Sequence, residues 1–353
     1  MKSFFDYERP ELAEVFQPGF RATQIFKSVY QLWLDDFELM TDLPKLLRSS
    51  LSEEWNVKLP PVHRRFDSVD GTRRYLVRLD DGELAETVFI PEENRSTICI
   101  SSQVGCALDC TFCLTGQLGL TRHLTPGEIA AQVLIAQRDN LPWEMRDSFN
   151  MVLMGMGEPL HNYDNVMKAL RILHDEHGLN MSMSRITLST AGLLPAIERL
   201  ANEPAIPNLA ISLTGATNEK RNELMPINRK YPLEQLLEVV RRFPLKHRQR
   251  VTFEYVLLRG ITDSPEDALQ LVKLLKGIRA KVNLIPLNEA EELGYQRPSD
   301  AVVEKFQQIL IDHHISAFVR KNRGNDISAA CGQLKKKWAD QIPAEQNSRL
   351  DCR

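Results

Sequence analysis

The densest chemistry in this sequence lies in one short stretch, Cys106-Ala-Leu-Asp-Cys110-Thr-Phe-Cys113. Its spacing is C-x3-C-x2-C, and three thiols on one loop can surround a single inorganic centre. A structural zinc wants four protein ligands in a closed tetrahedron. A cube-shaped iron–sulfur cluster held by three cysteines leaves one iron free to bind a small molecule. Zinc patterns normally pair C-x2-C with a second such pair, which is missing here, so the spacing favours the cluster. Zinc with a fourth ligand such as His123 is the alternative. Of the 6 cysteines, Cys99, Cys331 and Cys352 stand apart from this loop.

The elements that must position the loop follow from length and patterning. The chain has 353 residues, enough for about two domains. Hydrophobic residues make up 43% and charged residues 26%, which excludes a disordered or collagen-like chain. A net charge of -3 argues against a generally basic nucleic-acid binder and leaves room for local basic patches. The N-terminal MKSFFDYERPELAEVF lacks the apolar stretch of a signal peptide, and no run is apolar enough to span a membrane. The expectation is a cytoplasmic protein with reduced thiols.

Three periodicities divide the chain. Residues 1–60 read as helical, with apolar residues at helical spacing in Phe20–Tyr30 and Leu43–Leu51. Residues 61–92 read as an antiparallel meander, because Asp70-Gly71 and Asp81-Gly82 separate short alternating runs. From residue 93 to 338, strands and helices alternate. Strand candidates are Thr97–Ser101, Asn150–Met154, Arg185–Ser189, Asn208–Leu213, Arg250–Leu258, Lys281–Leu287 and Ile315–Val319. Amphipathic candidates are Pro126–Arg138, Asn162–His174, Pro232–Arg242, Pro265–Leu275 and Ser299–Asp312. A full or partial α/β barrel fits this alternation, with its site at the C-terminal strand ends; a doubly wound open sheet fits the periodicity equally. Residues 339–353 read as a polar tail.

C-x3-C-x2-C after the first strand of such an array resembles the radical S-adenosylmethionine (radical SAM) enzymes. That resemblance implies a partial (β/α)6 TIM-like barrel. It also implies a 4Fe-4S cluster on Cys106, Cys110 and Cys113, whose open iron chelates the methionine moiety of SAM. Further segments narrow the match: Ser101-Ser-Gln-Val-Gly105, Gly155-Met-Gly-Glu-Pro159, Leu188-Ser-Thr-Ala-Gly192, Pro226-Ile-Asn-Arg-Lys-Tyr-Pro232, and Val319-Arg-Lys-Asn-Arg-Gly continuing to Ala-Ala-Cys331-Gly-Gln-Leu334. Together they are similar to bacterial RNA methyltransferases that act on C2 of adenosine in 23S rRNA, near the peptidyl-transferase centre, and in tRNA, just 3′ of the anticodon. The related C8 methyltransferases are the nearest alternative. A zinc-stabilised, non-catalytic RNA-binding protein is the alternative from another class.

The resemblance assigns roles to the isolated cysteines. Adenine C2 lies between two ring nitrogens and is too electron-poor to attack the SAM methyl by displacement. By resemblance, Cys331 carries the methyl as S-methylcysteine, a second SAM supplies the radical that activates it, and the S-methylene radical adds to C2. Glu86 is the implied proton acceptor, with Glu83 a nearby competitor. Cys99 is the implied resolving thiol, releasing the product through a transient disulfide with Cys331. The implied SAM contacts are Gly157, Glu158, Ser189, Ser212, Leu213, Thr214 and Asn288. The sequence departs from the family at Ser212-Leu-Thr-Gly215, usually Ser-Leu-His-Ala, and at Cys113-Leu-Thr-Gly116, usually Cys-Ser-Thr-Ala. A flavodoxin- or ferredoxin-type electron donor and a monomeric state are also implied. Cys352 has no counterpart. Basic residues gather in Arg229–Arg259, in Arg320, Lys321 and Arg323 with Lys335–Lys337, and in His63-Arg-Arg with Arg73-Arg74, where they can meet RNA phosphates.

Overall fold

The computed structural model describes residues 1–93, 95–142 and 149–334. Cys352, Lys335–Lys337 and the polar tail lie outside the described residues.

The N-terminal segment is helical, as its periodicity predicts. Strand β1 (Lys2–Ser3) is followed by α1 (Arg9–Val15), α2 (Phe20–Tyr30) and α3 (Lys45–Glu54), and β2 (Trp55–Asn56) returns parallel to β1. Phe4, Phe26 and Tyr30 are fully buried, and the Phe26 and Tyr30 rings lie 4.6 Å apart. This apolar cluster also takes in Leu134 and Ile172 from later helices, so the segment is packed onto the rest of the chain. Ion pairs from Arg9 to Asp175 (2.9 Å) and Arg171 to Glu8 (2.8 Å) fasten its surface.

Strands β3 (Val62–Asp67), β4 (Arg73–Arg78) and β5 (Leu84–Ile90) form the expected meander, with turns at the two Asp-Gly pairs. Next come β6 (Ser96–Cys99), β7 (Gln103–Gly105), α4 (Leu114–Gln117), β8 (Leu120–His123) and α5 (Pro126–Asn140). The alternation continues with β9 (Phe149–Leu153), α6 (Tyr163–His174), β10 (Ile186–Thr190), α7 (Leu194–Leu200), β11 (Asn208–Ser212), α8 (Asn218–Leu224) and α9 (Leu233–Arg242). It ends with β12 (Val251–Leu257), α10 (Pro265–Leu275), β13 (Ala280–Pro286), α11 (Asp300–Asp312) and β14 (Ser316–Val319). Helix starts are locally encoded. Thr125 and Glu128 form a capping box at α5, Ser264 and Asp267 another at α10, and a proline opens each helix.

One 10-stranded sheet runs β14-β13-β12-β11-β10-β9-β6-β5-β4-β3. Pairing is parallel from β6 through β14, and β5 joins β6 antiparallel, so the meander extends the same sheet. β14 and β3 are its two edges, which makes the array an open barrel. The helices cover one face. Ile211, Phe253 and Val282 point into the core shared with Leu170, Leu236 and Phe306 of α6, α9 and α11. The alternate residues Ser212, Glu254, Asn283 and Phe318 stand at one level of the sheet and line a cavity on the other face. Helices on one side and a cavity on the other exclude the doubly wound alternative, which covers both faces.

Candidate active site

The cysteine loop leaves the β7–β8 hairpin and enters α4. Four backbone bonds hold it: Cys106 N–H to Gly119 O (2.9 Å), Thr111 N–H to Leu224 O (3.0 Å), Cys113 N–H to Cys110 O (3.1 Å) and Leu114 N–H to Gly332 O (2.8 Å). The loop is thus tied both to α8 and to the C-terminal strap that carries Cys331. Thr115 Oγ1 donates to Leu334 O (2.9 Å), a second tie to that strap.

Cys106, Cys110, Cys113 and Cys331 line one cavity of about 640 Å³, together with Gly157, Glu158, Ser189, Ser212, Thr214 and Asn288. That volume is in the range of small-molecule sites. The structure therefore brings together most of the residues expected from the sequence. Leu213 is the exception among the SAM set: its side chain is fully buried in the core, and only its backbone faces α8 through Arg221. Cys99 is also outside the lining, buried beside Val88, Met156 and Ala329 just beneath the strap. Glu86 is buried and paired with Arg74 (3.4 Å), whose guanidinium also donates to Ser328 O (3.2 Å) on the strap. His123 does not line the cavity, which removes the fourth ligand suggested for zinc. Among the described residues no three Cys, His, Asp or Glu side chains converge on one metal-ion position.

All the loop thiols are pushed toward their neutral form. Burial raises Cys106 to about 12, with Glu158 and Cys113 adding repulsion. Burial and then Cys113 and Cys106 raise Cys110, and burial raises Cys113. Metal binding needs thiolates, so this donor set calls for strong positive charge among the sulfurs, which iron supplies. Asn288 suits a polar ligand: Nδ2 donates to Cys331 O (3.2 Å), while its buried Oδ1 has no partner among the described residues. The residues present fit both a cluster and a SAM-sized ligand.

The loop that follows β9 shows why its residues are of these types. Gly157 has φ +100°, and a Cβ there would lie 2.5 Å from Gln103 Cβ. Glu158 Oε2 accepts from Ala191 N–H (2.8 Å) and Oε1 from Leu160 N–H (3.0 Å). Burial outweighs these bonds and lifts Glu158 to about 7. Gln103, fully buried, accepts from Glu158 N–H at Oε1 (2.7 Å). Its Nε2 must then donate, and it reaches His123 Nδ1 (2.9 Å) and His161 Nδ1 (3.3 Å). Flipping the amide would set NH2 against N–H. The 2.9 Å bond then needs a neutral His123 imidazole with its proton on Nε2, in line with the burial that lowers His123. Thr214, in place of the usual His, takes φ +32° and receives a long bond from Val256 N–H (3.4 Å).

Sequence reasoning missed a second polar wall. Glu254 accepts from Asn283 Nδ2 (2.8 Å), and Lys281 and Arg320 line the cavity with them. Burial raises Glu254, and the charges of Arg320 and Lys281 oppose the shift. Polar residues alternating within apolar strands (Glu254 in VTFEYVL, Lys281 and Asn283 in AKVNLIP) were the available signal. Cys331 is exposed into this cavity; surrounding protein raises its thiol, and Arg320 opposes that rise. Arg221 was missed as well. It is fully buried and donates to Ser212 O (2.9 Å), Leu213 O and Ala191 O (2.6 Å), stapling the ends of β10 and β11. Of the basic clusters, Arg320, Lys321 and Arg323 line the cavity. Arg74 is buried, and Arg65 and Arg73 pair with Asp67 and Asp139, so that cluster is mostly neutralised within the protein.

Comparison with known proteins agrees with this geometry. Residues 100–272 match the radical SAM superfamily, and residues 3–57 match the ribosomal RNA large subunit methyltransferase N-terminal domain. The chain is 48% identical, over 100% of its length and 94% of the relative's, to a protein of Syntrophotalea carbinolica named dual-specificity RNA methyltransferase RlmN. A Geobacter sulfurreducens protein of the same name is 52% identical over 94% of the chain and 90% of the relative. The crystal structure of a radical SAM methyltransferase from Sphaerobacter thermophilus superposes with a TM-score of 0.91 at 43% identity, covering 96% of this chain and 100% of that one. An open barrel with three thiols at its mouth, preceded by this N-terminal segment, makes the chain a member of the dual-specificity RNA methyltransferase RlmN family within the radical SAM superfamily.

Proposed function

We propose that the chain methylates C2 of adenosine in 23S rRNA and in tRNA. The carrying observation is that Cys331 opens into the same cavity as the three loop thiols. A methyl-carrying sulfur and a radical source must share one space, because a carbon radical reacts at contact distance. Residues 1–60 act as an accessory unit in this reading, 61–92 as a β extension, and 93–338 as the catalytic unit. A flavodoxin- or ferredoxin-type protein supplies the electron.

As a radical SAM enzyme the chain uses a 4Fe-4S cluster and SAM, which when bound supply a transferable methyl and a 5′-deoxyadenosyl radical. The chain's own residues do the rest. Cys106, Cys110 and Cys113 would hold the cluster. Asn288 Oδ1, Glu158 and the Ser189 and Ser212 hydroxyls, whose Oγ atoms lie 3.4 Å apart, would orient SAM. Arg320 favours the thiolate of Cys331, the form that accepts a methyl. Cys99 resolves the protein–RNA adduct: after the adduct loses the C2 proton and one electron, which the cluster would take back when bound, the Cys99 thiolate attacks Cys331 Sγ, an S–S bond forms, the S–C bond breaks, and its electron pair takes up a proton to give the product methyl. Both thiols are free in this structure, and Cys331 adds to the repulsion that burial imposes on Cys99. Glu86 takes the C2 proton in this scheme. Arg74 links its carboxylate to Ser328 O on the strap that carries Cys331.

The test is anaerobic reconstitution followed by methylation of bulk RNA and mass spectrometry of the nucleosides. We expect brown protein with about four iron and four sulfide, and C2-methyladenosine in the product. Colourless zinc protein, or C8-methyladenosine alone, would overturn the reading. Cys331→Ala should abolish transfer, and Cys99→Ala should accumulate a covalent protein–RNA adduct.

A further inference from the structure

The polar row Ser212, Glu254 and Asn283 ends at Phe318, on the edge strand β14. Phe318 lines the cavity and is 54% exposed. The other phenylalanine in the lining, Phe112, is half-buried and packs against the cluster of Leu224 and Met225. Phe318 belongs to none of the apolar clusters of the described residues. Its strand neighbour Ala317 is buried in the core beneath α11, and strand alternation then holds the Phe318 ring on the cavity side. Leaving a large aromatic ring half in water forfeits burial free energy, so packing does not account for it.

The ring's neighbours narrow what it meets. Arg320, Lys321 and Arg323 follow it in the chain and line the same opening. An aromatic face beside cations suits a nucleotide: any base offers a π-face, and the phosphates meet the cations. Ring, cation and the sulfur of Cys331 line the same cavity, and the charge of Arg320 favours the Cys331 thiolate. Phe318 stands on the edge strand and shares its cavity with Cys331, and an adenine that reacts at C2 must leave its stack to reach that cavity.

We propose that Phe318 is a stacking platform for a nucleobase of the RNA substrate, with Arg320, Lys321 and Arg323 taking the adjoining phosphates. This rests on the RNA methyltransferase reading above. The adenine of SAM is the other base within reach, and the experiment separates the two. Full-length reconstituted protein is compared with Phe318→Leu, which keeps an apolar side chain without a π-face, and Phe318→Tyr, which restores one. Affinity for a synthetic anticodon stem–loop RNA is read by fluorescence anisotropy, and affinity for SAM by equilibrium dialysis. Phe318→Leu should weaken RNA binding roughly 5- to 150-fold, the range of a single stacked base. Phe318→Tyr should return it to the wild-type value, and SAM affinity should be unchanged in both. Unchanged RNA affinity in Phe318→Leu overturns the proposal. So does a loss confined to SAM, which would assign the ring to the cofactor's adenine. Failure of the wild type itself to bind and methylate the RNA is a distinct result, and it removes the parent reading as well.

Discussion

Replacing Gln103 by Leu tests whether one buried amide holds the loop that carries Gly157 and Glu158. The wild-type amide makes three bonds, to Glu158 N–H (2.7 Å), His123 Nδ1 (2.9 Å) and His161 Nδ1 (3.3 Å). Leu leaves the buried Glu158 N–H without an acceptor, at a cost of about 1–3 kcal/mol. The two imidazole bonds cost about 1 kcal/mol more together; His161 is exposed and His123 half-buried, so water replaces the amide there. A total of about 2–4 kcal/mol should lower the melting temperature by roughly 3–5 °C in a chain of 353 residues. The same clamp sets a pH dependence. His123 is held below its ordinary value of 6.5 by burial and then by His161, so the unfolded chain takes up its proton first as pH falls. The His123 contribution is therefore flat above about pH 6.5 and declines below it until the folded imidazole also protonates, while Glu158, lifted to about 7, contributes in the opposite direction, so the His123 part is read as the difference between the wild type and His123→Gln. Gln103 and His161 face the ring, and Arg122, held by Asp81 and Glu128, donates to the His123 carbonyl (2.9 Å). Nitrogen-15 spectra of the histidine side chains report the tautomers directly, without any bound cofactor. An Nδ1–H tautomer at His123 in the wild type would refute the clamp, as would a Leu variant with unchanged melting temperature.

Three further perturbations probe other supports of the site. Arg221→Met strands the Ser212, Leu213 and Ala191 carbonyls and should lower stability by at least about 3 kcal/mol, read from the urea midpoint. Gly157→Ala combines a left-handed φ of +100° with a 2.5 Å approach to Gln103 Cβ; about 2–4 kcal/mol of strain should appear as weaker SAM binding in equilibrium dialysis. Glu86→Ala removes the carboxylate from beside buried Arg74 and should cost about 3–5 kcal/mol. Glu86→Gln should fold close to normally, and it loses product release only if Glu86 is the proton acceptor, which single-turnover trapping of the adduct would reveal.

What could be read in the sequence was whatever is encoded over short distances. The cysteine loop is a local motif, and its three thiols reach the cavity because eight consecutive residues fix their spacing. The seven parallel strands were legible as short apolar runs, and α10 was legible to the residue, because proline and a capping box mark its start. The β7–β8 hairpin was not, since its strands are only 3 and 4 residues long and enclose the loop itself. α7 and α8, of 7 residues each, are too short to show a full apolar face. The site's supports were hidden for a different reason. Glu254 meets Asn283 only because β12 and β13 pair in that register, and Arg221 reaches Ala191 across 30 positions of chain. Register is a property of two strands together, so no single stretch of sequence contains it. The same logic brings the two isolated cysteines near each other. Cys99 is set by its pairing with Val88 and Val152, and Cys331 by the strap's ties to Leu114, Thr115 and Asn288. Their partnership is thus a consequence of how the strap closes over β5 and β6. Loosening the strap should separate the two thiols without touching either one.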